Sequence, residues 1–311
     1  MAILRSTSIF VYSIQRTWVC GQSIVEIAKP KVIIVGCGNL GKKIGDIFAQ
    51  HENFQILGVK RNPSGQSNFP ILAKDIFAND FSAWIVAENP NYIIYSATPA
   101  SSNSKDYEKI YVEGLRKITD IIESQKLQTK VFFISSTRVF NGNTNLEALD
   151  DHDEINPNDE QGRILGQAEC IATKNDKGFV FRLTGIYGAD RTIMIRLAQD
   201  QQSWPENRFT NRIYDEDAAN IIVNIILNKH LDPKFILPLT INITDSRPVE
   251  LYLVLNFIRK KLNLPEVRLE PIDRVEGKKI ISTFVSKKLN YQFKHPSFES
   301  GYTEIIQKMA R

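Results

Sequence analysis

Three glycines offer the first recognisable chemistry. Gly36-Cys37-Gly38-Asn39-Leu40-Gly41 has the spacing Gly-x-Gly-x-x-Gly. It follows a continuous apolar run, KVIIV (31–35), and opens a segment with Leu40, Ile44, Ile47 and Phe48 at helical spacing. Strand, turn and helix in that order are the context a pyrophosphate-binding turn requires. Gly36 permits the tight turn, Gly38 lets the backbone approach a pyrophosphate, and Gly41 lets helix and strand pack closely. The amides of Asn39 and Leu40 would then aim at phosphate oxygens from the positive end of the helix. The competing reading is a glycine-rich turn with no ligand, which the surrounding pattern disfavours.

The end of the next strand should choose the nucleotide. NAD binders place an Asp or Glu there for the ribose 2′-hydroxyl, and NADP binders use a cation instead. This chain reads Gly58-Val59-Lys60-Arg61-Asn62-Pro63, with two cations and no acid. Arg61 could fork onto a 2′-phosphate and Lys60 could add a point charge. NADP(H) is therefore favoured and NAD(H) remains possible; the plain alternative is two solvated loop cations. Asp75 of Ala73-Lys74-Asp75-Ile76 could meet an adenine amine, or be an ordinary exposed acid.

The elements needed to position these residues are legible as an α/β rhythm. FQILGV (54–59), PNYIIYSA (90–97), KVFFISS (130–136) and GFVFRLTGIYG (178–188) read as buried strands. Tyr107, Tyr111, Leu115, Ile118 and Ile122 stripe a long helix. Alternation of this kind builds a Rossmann-type doubly wound parallel sheet. Beyond about residue 190 the rhythm loosens, with helices expected at 216–229 and 249–262 and a strand at 240–244. The division expected is an N-terminal extension over 1–29, a dinucleotide-binding domain over 30–190 and a smaller substrate lobe over 191–311, with a ligand cleft between the last two.

Composition narrows the class. The 311 residues are 42% hydrophobic and 24% charged, which suits a globular chain with a sizeable core. A net charge of +4 without a basic stripe argues against nucleic acid, and no apolar run is long enough to span a membrane. Three cysteines with no CxxC pair exclude a disulfide framework and the usual structural zinc. They point to a reducing compartment such as the cytoplasm. The first 25 residues carry Arg5, Arg16 and many hydroxyls, with no acid before Glu26. That reads as a mitochondrial or plastid transit peptide, or else as an extra strand.

These pieces together resemble the extended short-chain dehydrogenase/reductases, the NAD-dependent epimerase/dehydratase family, and within them the atypical YeeZ type. The resemblance covers nearly all of 31–311. VIIVGCGNLG (32–41), GVKRNP (58–63), IIYSATP (93–99), FFISSTRVFN (132–141), FRLTGIYG (181–188), NRIYDEDAA (211–219) and INITDSRPVEL (241–251) carry it. So does a tail pattern running over 278–302. It implies that Ile76, Ala97 and Thr98 complete the cofactor contacts begun by Gly36, Gly38, Asn39, Leu40, Gly41, Lys60, Arg61 and Asp75. It also implies a nucleotide-sugar or small-molecule substrate, and a homodimer through helices like 105–124.

In active members of that family a Tyr and a Lys at i+4 perform the acid–base step, and a Ser or Thr at the preceding strand end orients the substrate. Ser136 holds the strand-end position. Gln161 stands where the Tyr should be and Leu165 where the Lys should be. There is no Tyr between 112 and 186, and none of the ten tyrosines has a Lys four residues on. Glutamine has no proton to exchange near neutral pH, and leucine has no charge to tune a neighbour. The expectation is an NAD(P)(H)-binding protein with weak or no standard catalysis. The rival is an active NADP-dependent oxidoreductase or nucleotide-sugar epimerase/dehydratase with non-standard acid–base groups. His152 could act as an acid or be a solvated loop residue, and Arg138 could bind an anion beside Ser136 or be surface. Arg208, Asn211 and Arg212 could meet a substrate phosphate or brace the smaller lobe. His51, His230 and His295 read as surface or core-edge residues with no metal spacing.

Overall fold

The computed structural model describes residues 29–143, 147–175, 177–268 and 275–309. The targeting or extra-strand reading of the N-terminal segment lies outside the described residues, but for Lys29.

Seven strands form one parallel sheet: β1 (Lys31–Val35), β2 (Gln55–Lys60), β3 (Ile71–Ala73), β4 (Tyr92–Tyr95), β5 (Lys130–Ser136), β6 (Gly178–Leu183) and β7 (Thr240–Ile243). Their spatial order is β7-β6-β5-β4-β1-β2-β3. Register is set by the buried apolar runs, Val32 of β1 lying between Ile56 of β2 and Tyr92 of β4. The order turns outward in both directions from the β1–β4 pair, so a crevice opens beyond the C-terminal ends of those strands.

Helices cover both faces. Val32 and Ile34 point to one side, where they meet Ile44 and Phe48 of α1 (Asn39–Phe48). A helix from the C-terminal part packs beside α1 and closes the same core. Ile33 and Val35 point to the other side, into a core with Ile85 of α2 (Phe81–Glu88), Leu115 and Ile118 of α3 (Leu115–Ser124), and Ile164 and Leu165 of α4 (Glu160–Thr173). Each such fully buried side chain contributes about 1.5–3 kcal/mol relative to exposure. A short helix, Ser104–Tyr107, leads through a π-helical segment, Glu108–Gly114, into α3. The Tyr95 hydroxyl donates to the Ile110 carbonyl, and any Cβ at Gly114 would collide with that hydroxyl, so this segment needs glycine there.

The C-terminal part contains α5 (Ile193–Gln199), α6 (Asp215–Leu231), α7 (Leu251–Lys261) and α8 (Phe298–Met309). Tyr187, Tyr214, Leu251, Leu255, Ile258 and Tyr302 make a third core there. α6 and β7 return to the main sheet, α6 being the helix beside α1. A boundary at residue 190 therefore does not separate the sheet from everything after it. Among the described residues, three two-stranded pairs accompany the sheet: Gly185–Tyr187 with Arg212–Tyr214, Phe209–Thr210 with Val249–Glu250, and Ala148–Leu149 with Lys279–Ile280. The last pair carries the tail of the chain to the end of β5. No helix among the described residues is long and apolar enough to cross a membrane.

Candidate functional site

The glycine turn sits at the crevice. The Gly36 and Cys37 amides both donate to the Val59 carbonyl at 3.0 Å, and the Gly38 amide donates to the Gly36 carbonyl at 2.7 Å. Gly36 has φ +77°, and a Cβ there would lie 2.2 Å from the Ala97 Cα, so the protein itself demands glycine. Gly38 is different. A Cβ there would meet no protein atom closer than the Gly36 carbonyl at 3.9 Å. Nothing internal excludes a side chain at Gly38, and the space it leaves open faces the uncapped N-terminus of α1, whose first turn carries no acid. At Gly41 a Cβ would stand 3.1 Å from both Ile34 and Ser96, so helix and strand are nearly in contact. The Asn39 amide group donates to Asp190 at 2.9 Å, tying the loop after Tyr187 to this turn. Burial pushes the Cys37 thiol up to about 12, so it is a packed thiol and not a nucleophile.

Beyond β2, Lys60 is half-buried and Arg61 exposed, and among the described residues neither forms an ion pair with an acid. The Lys60 carbonyl accepts from the Lys74 amide, which fixes the loop holding Asp75. The Asp75 carboxylate accepts from the Phe77 amide at 2.9 Å and is exposed. The Ile76 side chain is buried in the core with Phe81 and Ile85, leaving only its backbone to a ligand. Ala97 is buried against Gly36, and Thr98 is exposed.

At the end of β5, the Ser136 hydroxyl accepts from the Arg138 amide at 3.2 Å. Arg138 Nε donates to Asp159 at 2.8 Å and its Nη2 to the Gln161 side chain at 3.3 Å. Gln161 in turn donates to the Ser102 carbonyl at 2.8 Å. Asp159 caps α4 by accepting from the Gly162 amide, and also accepts from Asn141. Leu165, one turn on, is 2% exposed and belongs to the core. Sequence reasoning missed Lys278. Its ammonium donates to the Thr137 carbonyl and to the Asn141 side chain, a contact across 141 residues of chain that no local pattern could signal. Burial, with Arg138 and Arg208 nearby, pulls the Lys278 amine down to about 8 against the opposing influence of Asp159.

A candidate NAD-dependent epimerase/dehydratase from Methylobacillus flagellatus superposes with a TM-score of 0.80 over 91% of this chain and 100% of its own, at 26% identity. The fold is the Rossmann-like fold of the solved epimerase/dehydratase structures. Two more distant structures share it. One is dTDP-glucose 4,6-dehydratase from Bacillus anthracis in complex with NAD, with a TM-score of 0.71 at 15% identity, covering 90% of this chain and 96% of that one. The other is UDP-glucose 4-epimerase from Thermotoga maritima with UDP-glucose, with a TM-score of 0.71 at 14% identity, covering 90% and 98%. Neither a family model nor a curated protein sequence matches the chain.

The other candidates resolve differently in this fold. Asn211 is buried; its amide donates to the Lys278 carbonyl and its oxygen accepts from the Ile280 amide, so it pins the tail strand. Arg212 is buried beside Tyr302 and Asp245 and donates to Thr210 at 2.7 Å. Both brace the C-terminal part from buried positions. Burial pushes the Asp245 carboxyl up to about 7 even with Arg212 nearby. Arg208 stays exposed near Lys278. Of the surface and core-edge alternatives for His295, the structure has it inside: it is buried on the Tyr214 ring and lies 3.1 Å from Glu304. His51, His152 and His230 are exposed. Among the described residues no group of three His, Cys, Asp or Glu is placed to hold a metal ion.

Proposed function

We propose that this chain binds a nicotinamide dinucleotide, NADP(H) in preference to NAD(H), and that it lacks the Tyr-x-x-x-Lys route to catalysis. The observation that carries the reading is Gly38: a glycine with no internal reason to be one, beside free helix amides at the sheet crevice. Gly36 to Gly41 would take the pyrophosphate. Lys60 and Arg61, without acid partners, would favour a 2′-phosphate over a bare 2′-hydroxyl. Asp75, the Ile76 backbone, Ala97 and Thr98 would line the adenine and ribose path. The neighbour solved with NAD supports a dinucleotide in this fold, and the neighbour solved with UDP-glucose supports a nucleotide sugar as one substrate class. A bound nicotinamide supplies hydride chemistry; Gln161 and Leu165 supply no proton to accompany it.

Isothermal titration with NADPH and NADH tests the reading. Gly38→Val should abolish binding of both while leaving the circular dichroism spectrum unchanged. Arg61→Ala should weaken NADPH by about tenfold or more, roughly 1.4 kcal/mol, and NADH little. Equal loss for both nucleotides removes the 2′-phosphate role, and unchanged affinity in Gly38→Val removes the site.

A second reading, an active NADP-dependent oxidoreductase or nucleotide-sugar epimerase/dehydratase, has one observation in its favour. Lys278 brings an amine of lowered basicity to the end of β5, next to Ser136, although not to the helix position where the missing lysine would stand. Turnover in a carbonyl and sugar-nucleotide screen that disappears in Lys278→Met would favour it.

A further inference from the structure

Three cations gather at the end of β5 with too little negative charge to balance them. Arg138 comes from the turn after β5, Arg208 from the isolated bridge it makes with Glu276 just before Phe209–Thr210, and Lys278 from the tail two residues beyond Glu276. The acid among them is Asp159, and it is already engaged. One oxygen takes Arg138 and the Gly162 amide, and the other takes Asn141. Lys278 itself touches only neutral acceptors, the Thr137 carbonyl and the Asn141 side chain. Among the described residues it has no acid within ion-pair distance, although it is half-buried. Its neighbour Lys279 turns away, with its ammonium 4.3 Å from the centre of the Phe209 ring. Arg208 is exposed, and the Arg138 side chain keeps 38% of its surface open. A partly dry ammonium facing two guanidiniums is unfavourable on its own and favourable around an anion.

We propose that Arg138 and Lys278, with Arg208 at the rim, form a receptor for an oxyanion of the substrate, a carboxylate or phosphoryl group, presented beside Ser136. It rests on the cleft assigned above but adds a requirement that the nucleotide site does not impose: the ligand is negatively charged at the end that reaches β5. The Arg138 fork and the Lys278 point charge would replace solvent on the anion, while the Asn141 side chain and the Thr137 carbonyl hold the ammonium in place. Asp159 keeps Arg138 oriented and does not itself contact the ligand.

The test titrates malonate and inorganic phosphate into the full chain by calorimetry at low ionic strength, with NADPH titrated in parallel. Wild type should bind at least one anion. Lys278→Met and Arg138→Gln should each weaken it about tenfold or more, and Lys278→Arg should retain most of the affinity. The tighter probe tells carboxylate from phosphoryl. Anion affinity should also fall as the pH rises through about 8, because the amine then loses its proton in the free protein; the groups facing it are Asp159, Arg138 and Arg208. No binding of either anion by wild type, or affinity unchanged in both Lys278→Met and Arg138→Gln, overturns the proposal. NADPH binding by those two variants should equal wild type, so loss of anion binding with NADPH retained separates this site from the nucleotide site. NADPH failing to bind wild type while the anion binds overturns the nucleotide reading alone.

Discussion

Two glycines of one motif carry different burdens. At Gly36 the backbone sits in the left-handed region and the Ala97 backbone occupies the space a Cβ would need. Gly36→Ala should therefore lower stability by about 2–4 kcal/mol, from backbone strain plus overpacking. Gly38→Ala should cost less than about 1 kcal/mol, since the added methyl reaches only ordinary contact. Urea denaturation of the two variants checks this; equal losses would show that Gly38, like Gly36, is glycine for internal reasons. The motif was legible in the sequence because its logic is local: a strand, a turn and a helix within about a dozen residues. The division of labour inside it was not, since Ala97 lies 61 residues beyond Gly36. For the same reason Lys60 and Arg61 could be named as cations while their lack of acid partners could not. Lys278 carries no local signal beyond its place in the tail, because its meaning depends on a contact with Thr137.

At the scale of elements, α4 is where sequence and structure diverge most usefully. The positions of Gln161 and Leu165 could be read by resemblance, and the helix around them is present. What the sequence could not give is the direction of each side chain. Leu165 joins the core stripe of Ile164, Ala168 and Ala172, while Gln161 bridges Arg138 and Ser102. The same helix buries Glu169 against Arg182 of β6. Arg182 Nη2 donates to the carboxylate at 2.8 Å, the Ser135 hydroxyl donates to its other oxygen at 2.6 Å, and the guanidinium lies 4.9 Å from the centre of the Phe140 ring. Both charged side chains are nearly inaccessible, at 5% and 6%. This pair fixes α4 to the ends of β5 and β6, and through them the placement of Ser136 and Gln161. Glu169→Gln leaves a buried guanidinium uncompensated. It should cost about 3–5 kcal/mol of unfolding free energy, measured by urea denaturation. Replacing the pair by Gln and Met together should recover part of the loss. If the single variant costs less than about 1 kcal/mol, the pair does not anchor the helix.

For the whole molecule, the decisive contacts join segments far apart in sequence. Asp151 is 1% exposed and accepts from the Asn242 amide of β7, the Ser282 hydroxyl and the Phe284 amide. Asp150 beside it accepts from the Thr283 amide and hydroxyl. These two acids clasp the tail to the sheet edge, and the tail carries Lys278 to the end of β5. Asp151→Asn keeps the size but can turn a donor toward two amides, and it should cost about 2–4 kcal/mol. The nucleotide turn and the anion cluster should then respond differently. Saturating NADPH at about 100 times its dissociation constant should return about 2.7 kcal/mol to wild type and to Asp151→Asn alike, because the turn at Gly36 to Gly41 does not touch the clasp. Malonate or phosphate should stabilise wild type and do little for the variant, whose tail no longer holds Lys278 in register. Thermal melts with and without each ligand measure all four increments. If the anion increment survives in Asp151→Asn, the tail does not depend on the clasp. If the NADPH increment vanishes with it, the two sites are not independent and the crevice behaves as one unit.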